Sequence, residues 1–219
     1  MNKKYEFTDE VKVVFGHTLH RIRATVAFGN VKKDEIGGWI EKESNLSHEG
    51  NAWVYGDAEV YGDAEVCGDA EVYGDAWVYG NAKVYGNAWV YGNAKVYGNA
   101  KVYGNAWVYG DAEVCGDAEV YGDAWVYGNA KVCGDAEVYG NAHYFTVGPI
   151  GSRGGFTTFF RTKSLEVGVT CGCFRGNIQA FTKKVEETHG GNDHAKRYAL
   201  AIKLAKVSID LSANAEETD

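Results

Sequence analysis

The sequence predicts a mainly β protein in four stretches: a β cap over residues 1–49, a three-sided parallel β-helix over 50–145, a small α+β head over 146–209 and a disordered tail over 210–219. Three observations carry this prediction. From Gly50 to Gly140 a glycine recurs every six residues, giving sixteen units of the form Gly-(Asn/Asp)-Ala-x-Val-(Tyr/Cys), the last of them reading Gly140-Asn141-Ala142-His143-Tyr144-Phe145. Inside each unit the side chains alternate as in a strand, so Val54 points inward while Trp53 and Tyr55 point outward. After Phe145 the period stops, and Pro149, the one proline of the chain, follows at once.

Each unit is a short strand and a corner. Gly56-Asp57 turns the chain, because glycine accepts positive φ and Asp or Asn bonds its own backbone. Valine and alanine fill only a narrow interior, so three sides of six residues close a coil of eighteen that four sides would leave hollow. Stacked at roughly 4.8 Å, such coils make a rod about 25 Å long. No proline interrupts the rod, so every ladder donor is available.

An eighteen-residue coil puts every third unit on one face. One face reads Trp53, Glu71, Trp89, Trp107, Trp125 and His143, beside Tyr55, Tyr73, Tyr91, Tyr109, Tyr127 and Phe145. The other two read Glu59, Trp77, Lys95, Glu113, Lys131 and Glu65, Lys83, Lys101, Glu119, Glu137. The first is an aromatic wall of several hundred Å², near the limit of what a soluble monomer leaves bare. Trp53, Trp89, Trp107, Trp125, Tyr91, Tyr109 and Tyr127 are therefore expected at a homo-oligomer interface. Duplication of one unit, with aromatic residues as good strand formers, also accounts for the wall. Carbohydrate stacking is a third reading without polar partners.

The net charge of -8 argues against general nucleic-acid binding, but it is unevenly spread. Residues 50–145 hold four basic and fourteen acidic side chains, and residues 146–209 hold ten basic and four acidic. No apolar run is long enough to span a membrane and the first residues lack a secretory signal, so a cytoplasmic location is expected. Five cysteines without a zinc-finger spacing are expected as thiols, Cys115 and Cys133 included, although these two are vertical neighbours on one face.

At the N-terminus, Lys12–Phe15 and Leu19–Ala24 around Gly16-His17-Thr18 predict a hairpin, and residues 36–47 lead into the first unit. A cap is needed there because an open coil end exposes an unpaired ladder edge. In the head, Phe156–Arg161 and Leu165–Thr170 predict a hairpin. Two helices follow, one burying Ile178, Phe181 and Val185, the other starting at Asn192 as N-cap and burying Tyr198, Ala199, Ile202 and Ala205.

The Gly-(Asn/Asp)-Ala-x-Val pattern resembles the hexapeptide-repeat left-handed parallel β-helix, and that resemblance implies the handedness and a homotrimer. The segment from Ile36 to Ser47 resembles the N-terminal cap of a phage and bacterial group of such rods, mostly without assigned function. The head, through Gly-Ser-Arg-Gly-Gly-Phe-Thr-Thr, Gly172-Cys173-Phe174-x-Gly176 and Thr188-His189-Gly190, resembles a domain that follows such rods and brings no secure activity with it.

Hexapeptide acyltransferases carry a catalytic histidine near an excursion from the coil. This rod has no excursion, and its one histidine, His143, reads as a strand residue. In the head, Ser152, Arg153, Thr157, Thr158, Arg161, Arg175 and His189 offer hydroxyls and cations that suit an anionic small ligand such as a nucleotide. Cys171-x-Cys173 with His189 and His194 matches no common zinc spacing, and no cofactor is expected. The reading is a non-enzymatic trimeric scaffold whose basic heads bind an anionic small ligand or a partner protein, sequestering a host signalling nucleotide if the protein is phage-encoded. The alternative is a divergent acyltransferase, or a hydrolase using Cys173 with His189.

Overall fold

The structure, a computed structural model, describes residues 3–212. Its centre is a parallel β-solenoid of about six turns. Fifteen short strands, β4 (Trp53–Val54) to β18 (Glu137–Val138), form its three faces. The register follows the eighteen-residue period, with Trp89 beside Trp107 and Trp107 beside Trp125. The repeat valines and alanines are almost all fully buried, so a column of two small side chain types fills the rod. The corners need glycine for two reasons at once. Gly98 has φ +76, and a Cβ on it would lie 2.9 Å from the backbone nitrogen of Gly116 in the next coil.

The coiling starts earlier than the glycine period. Strand β3 (Ile36–Ile40) pairs in parallel with the strand Glu59–Val60, and Leu46 bridges Val66, so residues 36–49 form an irregular first coil. It lacks the Gly-Ala-Val signature, which is why its coil character escapes the repeat pattern. Strands β1 (Tyr5–Val14) and β2 (His17–Ala24) form the expected hairpin, longer than predicted, and β2 pairs with β3. Tyr5, Ile22 and Phe28 close over Trp53, which is fully buried. Trp53 is therefore part of the N-terminal seal and is removed from the predicted interface.

The repeat also ends earlier than expected. Gly140 takes an extended φ of -157, Asn141–His143 form a single 3-10 turn, and the last unit is not a strand of the rod. His143 is buried, and its Nδ1 accepts from the Tyr139 amide at 3.2 Å. The head begins with β19 (Tyr144–Ile150), which contains Pro149, and continues with β20 (Gly155–Arg161), β21 (Val167–Cys171) and β22 (Phe174–Asn177) in one antiparallel sheet. Helices α1 (Ile178–His189) and α2 (Asp193–Ser208) follow, with Asn192 capping α2 as predicted. Phe160 joins the rod core, while Phe159 on the opposite face packs with Phe181, Tyr198, Ile202 and Ala205. Residues 210–212 are anchored, since the Asp210 amide donates to the Ala142 carbonyl at 2.9 Å. The remainder of the predicted tail, 213–219, lies outside the described residues.

Side-chain ladders run up all three faces of the rod, with Tyr61, Tyr79 and Tyr97 stacked on one and Tyr85, Tyr103 and Tyr121 on another. Tyr73, Tyr91, Tyr109 and Tyr127 stack at centroid spacings of 4.8, 4.9 and 5.3 Å, and Trp89, Trp107 and Trp125 at 4.9 and 5.2 Å. At the corners, Asn87 donates to Asn105 and Asn105 to Asp123. Where Cys115 and Cys133 replace tyrosine above Tyr97, they are joined by a disulfide. The expectation of free thiols fails at this pair because parallel in-register pairing brings their Cα atoms to 4.5 Å. Cys67, Cys171 and Cys173 are free.

Candidate functional site

The head sheet has one face on the rod and the other under the helices, and between the helices and the β21–β22 turn a cleft of about 200 Å³ opens. Its floor is apolar, from Ile150, Phe156, Phe174, Phe181, Val185 and Tyr198. Its polar lining is Ser152, Arg153, Lys184, Thr188 and His189, with the thiols of Cys171 and Cys173. Among the described residues no carboxylate lines it. Lys184 forms an exposed ion pair with Glu187 at 3.7 Å, and Glu187 itself does not line the cleft.

Local structure sets each of these groups. Gly151 has φ +76, and a Cβ there would lie 2.0 Å from the Tyr198 hydroxyl, so the Gly151-Ser152-Arg153 turn can approach α2 only as glycine. On α1, Phe181, Lys184, Val185 and Thr188 recur at helical spacing along one side, which brings Lys184 and Thr188 to the cleft. His189 stacks on Tyr198 with centroids 5.7 Å apart, and His194 lies 5.5 Å from it. Burial, with the Cys171 thiol beside it, pushes the Tyr198 phenol up to about 12, and Arg153 opposes that rise. Tyr198 is thus a neutral hydroxyl at neutral pH, held between a thiol and a guanidinium. Thr157 Oγ1 donates to Cys171 Sγ at 3.2 Å, and the Tyr198 hydroxyl lies 3.6 Å from the same sulfur.

Of the seven predicted ligand residues, the structure brings three together, Ser152, Arg153 and His189. Thr157 stands behind the cleft and reaches it through Cys171. Thr158 is buried on the rod-facing side, where its hydroxyl accepts from the Lys131 amide at 2.9 Å. Arg161 is buried in an ion pair with Glu137 at 2.6 Å and lies over the Tyr139 ring. Arg175 sits at the rod–head junction beside the Tyr97 hydroxyl, in a recess that Asp135 and Glu166 also line. Thr158 and Arg161 therefore fasten head to rod and are withdrawn as ligand residues, while Arg175 is exposed and lies outside the cleft. The basic count of the head hid this use, because charge in sequence does not say which cations are already paired. Lys184, Thr188 and Tyr198 were missed as cleft residues, although the i, i+3, i+4, i+7 spacing on α1 signalled the first two.

His143 is buried under the head, where desolvation and Arg161 lower its pKa. No carboxylate lines the cleft to orient His189 toward Cys173. Among the described residues no group of three or more His, Cys, Asp or Glu side chains is placed to hold a metal ion. On the aromatic wall, Trp125 and Tyr127 are the most open, at 43% and 51%, and the rings below them are half-buried by their own stacking. Within the stack the ring faces of Trp89, Trp107 and Trp125 are turned to one another.

The family model described as the YdcK beta solenoid repeat matches residues 76–92 and 94–110, in the middle of the rod. No curated protein matches the chain. Among the described residues no helix is long and apolar enough to cross a membrane.

Proposed function

We propose that the protein is a non-enzymatic scaffold, a doubly sealed rod that associates with copies of itself and carries on its head a cleft for a small organic anion. One observation supports the anion reading above others. Arg153, Lys184 and His189 converge with two hydroxyls on a cleft that no carboxylate lines, in a protein of net charge -8. The volume limits the ligand. At about 200 Å³ the cleft is below the roughly 300–1,000 Å³ usual for drug-sized ligands, so it suits a pyrophosphate-sized anion or the phosphate end of a nucleotide whose remainder lies outside. The apolar floor favours an anion with an organic part.

Self-association rests on the tryptophan edges of Trp89, Trp107 and Trp125 with Tyr91, Tyr109 and Tyr127, and a trimer is the expected order. Titration calorimetry with inorganic pyrophosphate and with adenosine monophosphate tests the cleft. Binding should weaken about 10–100-fold in Arg153→Gln, the loss of one charged hydrogen bond. No binding of either probe, or equal affinity in the variant, overturns the reading. Native mass spectrometry of the same samples reads assembly, and Trp125→Glu should return a trimer to monomers.

A further inference from the structure

The cleft contains two sulfurs that anion binding does not use. Cys171 ends β21 and is paired with Phe174, so Gly172-Cys173 is a two-residue hairpin turn, with Gly172 at φ +60. Cys173 is exposed, Cys171 is half-buried, and both line the same cleft. Residues two apart across such a turn fall inside the roughly 4.4–6.8 Å Cα separation that a disulfide bridges. Gly172 has no atom within 4 Å of a notional Cβ, so the turn has room to adjust. The two thiols differ in setting. Cys173 meets solvent, while Cys171 receives the Thr157 hydroxyl and lies by Tyr198. Thiols in partly exposed, electropositive surroundings are the reactive ones, and Arg153, Lys184 and His189 supply that setting.

We infer that Cys171 and Cys173 form a dithiol that exchanges with a low-molecular-weight disulfide bearing carboxylates, one half of which enters the cleft. This rests on the anion reading of the cleft. The exposed Cys173 thiolate attacks one sulfur of the incoming R–S–S–R, breaking its S–S bond. One R–S⁻ leaves and takes a proton from water, and a Cys173–S–S–R mixed disulfide remains. Cys171, deprotonated to solvent and steadied by the Thr157 hydroxyl, then attacks Sγ of Cys173. The second R–S⁻ leaves and is protonated. The dithiol gives two electrons, the small disulfide takes them, and two small thiols and one Cys171–Cys173 disulfide result. Arg153, Lys184 and His189 select the carboxylates and take no part in the bond changes.

Three probes with the same S–S chemistry and different charge test this on the whole protein: anionic glutathione disulfide, neutral hydroxyethyl disulfide and cationic cystamine. Cleavage after Lys163 and Arg175 leaves both cysteines on the peptide Ser164–Arg175, where ring closure removes two hydrogens from the mass. Glutathione disulfide should close the ring at least about 10-fold faster than the neutral probe, and cystamine slowest, by the arithmetic of one charged contact. The preference should collapse in Arg153→Gln and survive in Lys203→Gln. Cys171→Ser should stop at the mixed disulfide on Cys173, which separates the two roles without disturbing the fold. A peptide that keeps two alkylatable thiols while pyrophosphate still binds overturns the exchange and leaves the anion site standing. Ring closure at equal rates with all three probes, unprotected by pyrophosphate, overturns the charge selection and the anion reading with it.

Discussion

The two ends of the rod face the same problem, an exposed coil edge, and close it with layers of different depth. At the N-terminal end the hairpin of β1 and β2 lies directly on the first coil, and Tyr5, Ile22 and Trp53 use up the contact. At the C-terminal end the head sheet seals the coil with Phe160 and Thr158 but turns its other face to two helices. A second layer needs its own packing, and where that packing is incomplete, between α1, α2 and the β21–β22 turn, a cleft remains. Each end also places a cation against a strand carboxylate. Lys12 meets buried Glu59 at 2.7 Å and lies over Trp39, and Arg161 meets Glu137 at 2.6 Å and lies over Tyr139.

The largest expected effect breaks the second of these clamps. Arg161 is 1% exposed, so Arg161→Met removes the cation from Glu137, which keeps the Tyr121 hydroxyl, and the contact to Tyr139. Urea unfolding should show a loss of about 3–5 kcal/mol. Lys12→Met should cost less, about 1.5–3 kcal/mol, because Lys12 is itself partly in solvent, although the Glu59 that it leaves is buried. Equal losses at the two ends would mean that burial of the cation does not set the difference.

Next in size is packing. A Cβ on Gly38 would meet Val54 Cγ1 at 2.6 Å and the Ala58 carbonyl at 2.7 Å, so Gly38→Ala forces the seal off the coil, at about 1–3 kcal/mol. Gly128, at the other end, has φ +65 and open space, so Gly128→Ala carries only the backbone term of about 1–2 kcal/mol. Melting curves that rank Gly128→Ala as the worse variant would place the strain in the corner conformation and not in the seal.

The rod was legible from the sequence because one physical rule, small inward side chains with glycine corners, is repeated without exception, and the three columns follow from counting by eighteen. Its limits were not legible, for opposite reasons. Residues 36–49 coil without the signature, since Ile40 and Leu46 take the valine positions. Residues 140–145 carry the glycine, Asn and Ala and do not coil, since Tyr144 and Phe145 are taken up by β19. The same distinction governs the site. Ser152, Arg153 and His189 were found by chemistry, but Arg161 has the same chemistry and is spent on Glu137 of the rod, which only pairing in space reveals. Cys115 and Cys133 were placed as vertical neighbours, and the expectation of a reducing location argued against a bond that their register permits.

The smallest effect is one the two ends share. His48 stacks on Tyr5 at 4.3 Å and accepts from the Lys4 amide, as His143 accepts from the Tyr139 amide at the other end. Burial lowers both pKa values; Lys3 and Lys4 add to it at His48 against Glu43, and Arg161 adds to it at His143 against Asp210 and Glu137. A lowered folded pKa means that, between it and the unfolded value near 6.5, the unfolded chain binds more protons. Stability is therefore complete above about pH 6.5 and falls as the pH drops below it. The carboxylates held low by partners, such as Glu41, Glu43 and Glu119, start to lose stability only at more acid pH, below about 4.5. Asparagine keeps an acceptor near Nδ1 without the charge. His48→Asn and His143→Asn should each flatten part of the decline in melting temperature between pH 7 and 5, and the double variant most of it. A double variant that declines as steeply as the parent would show that neither seal senses the proton.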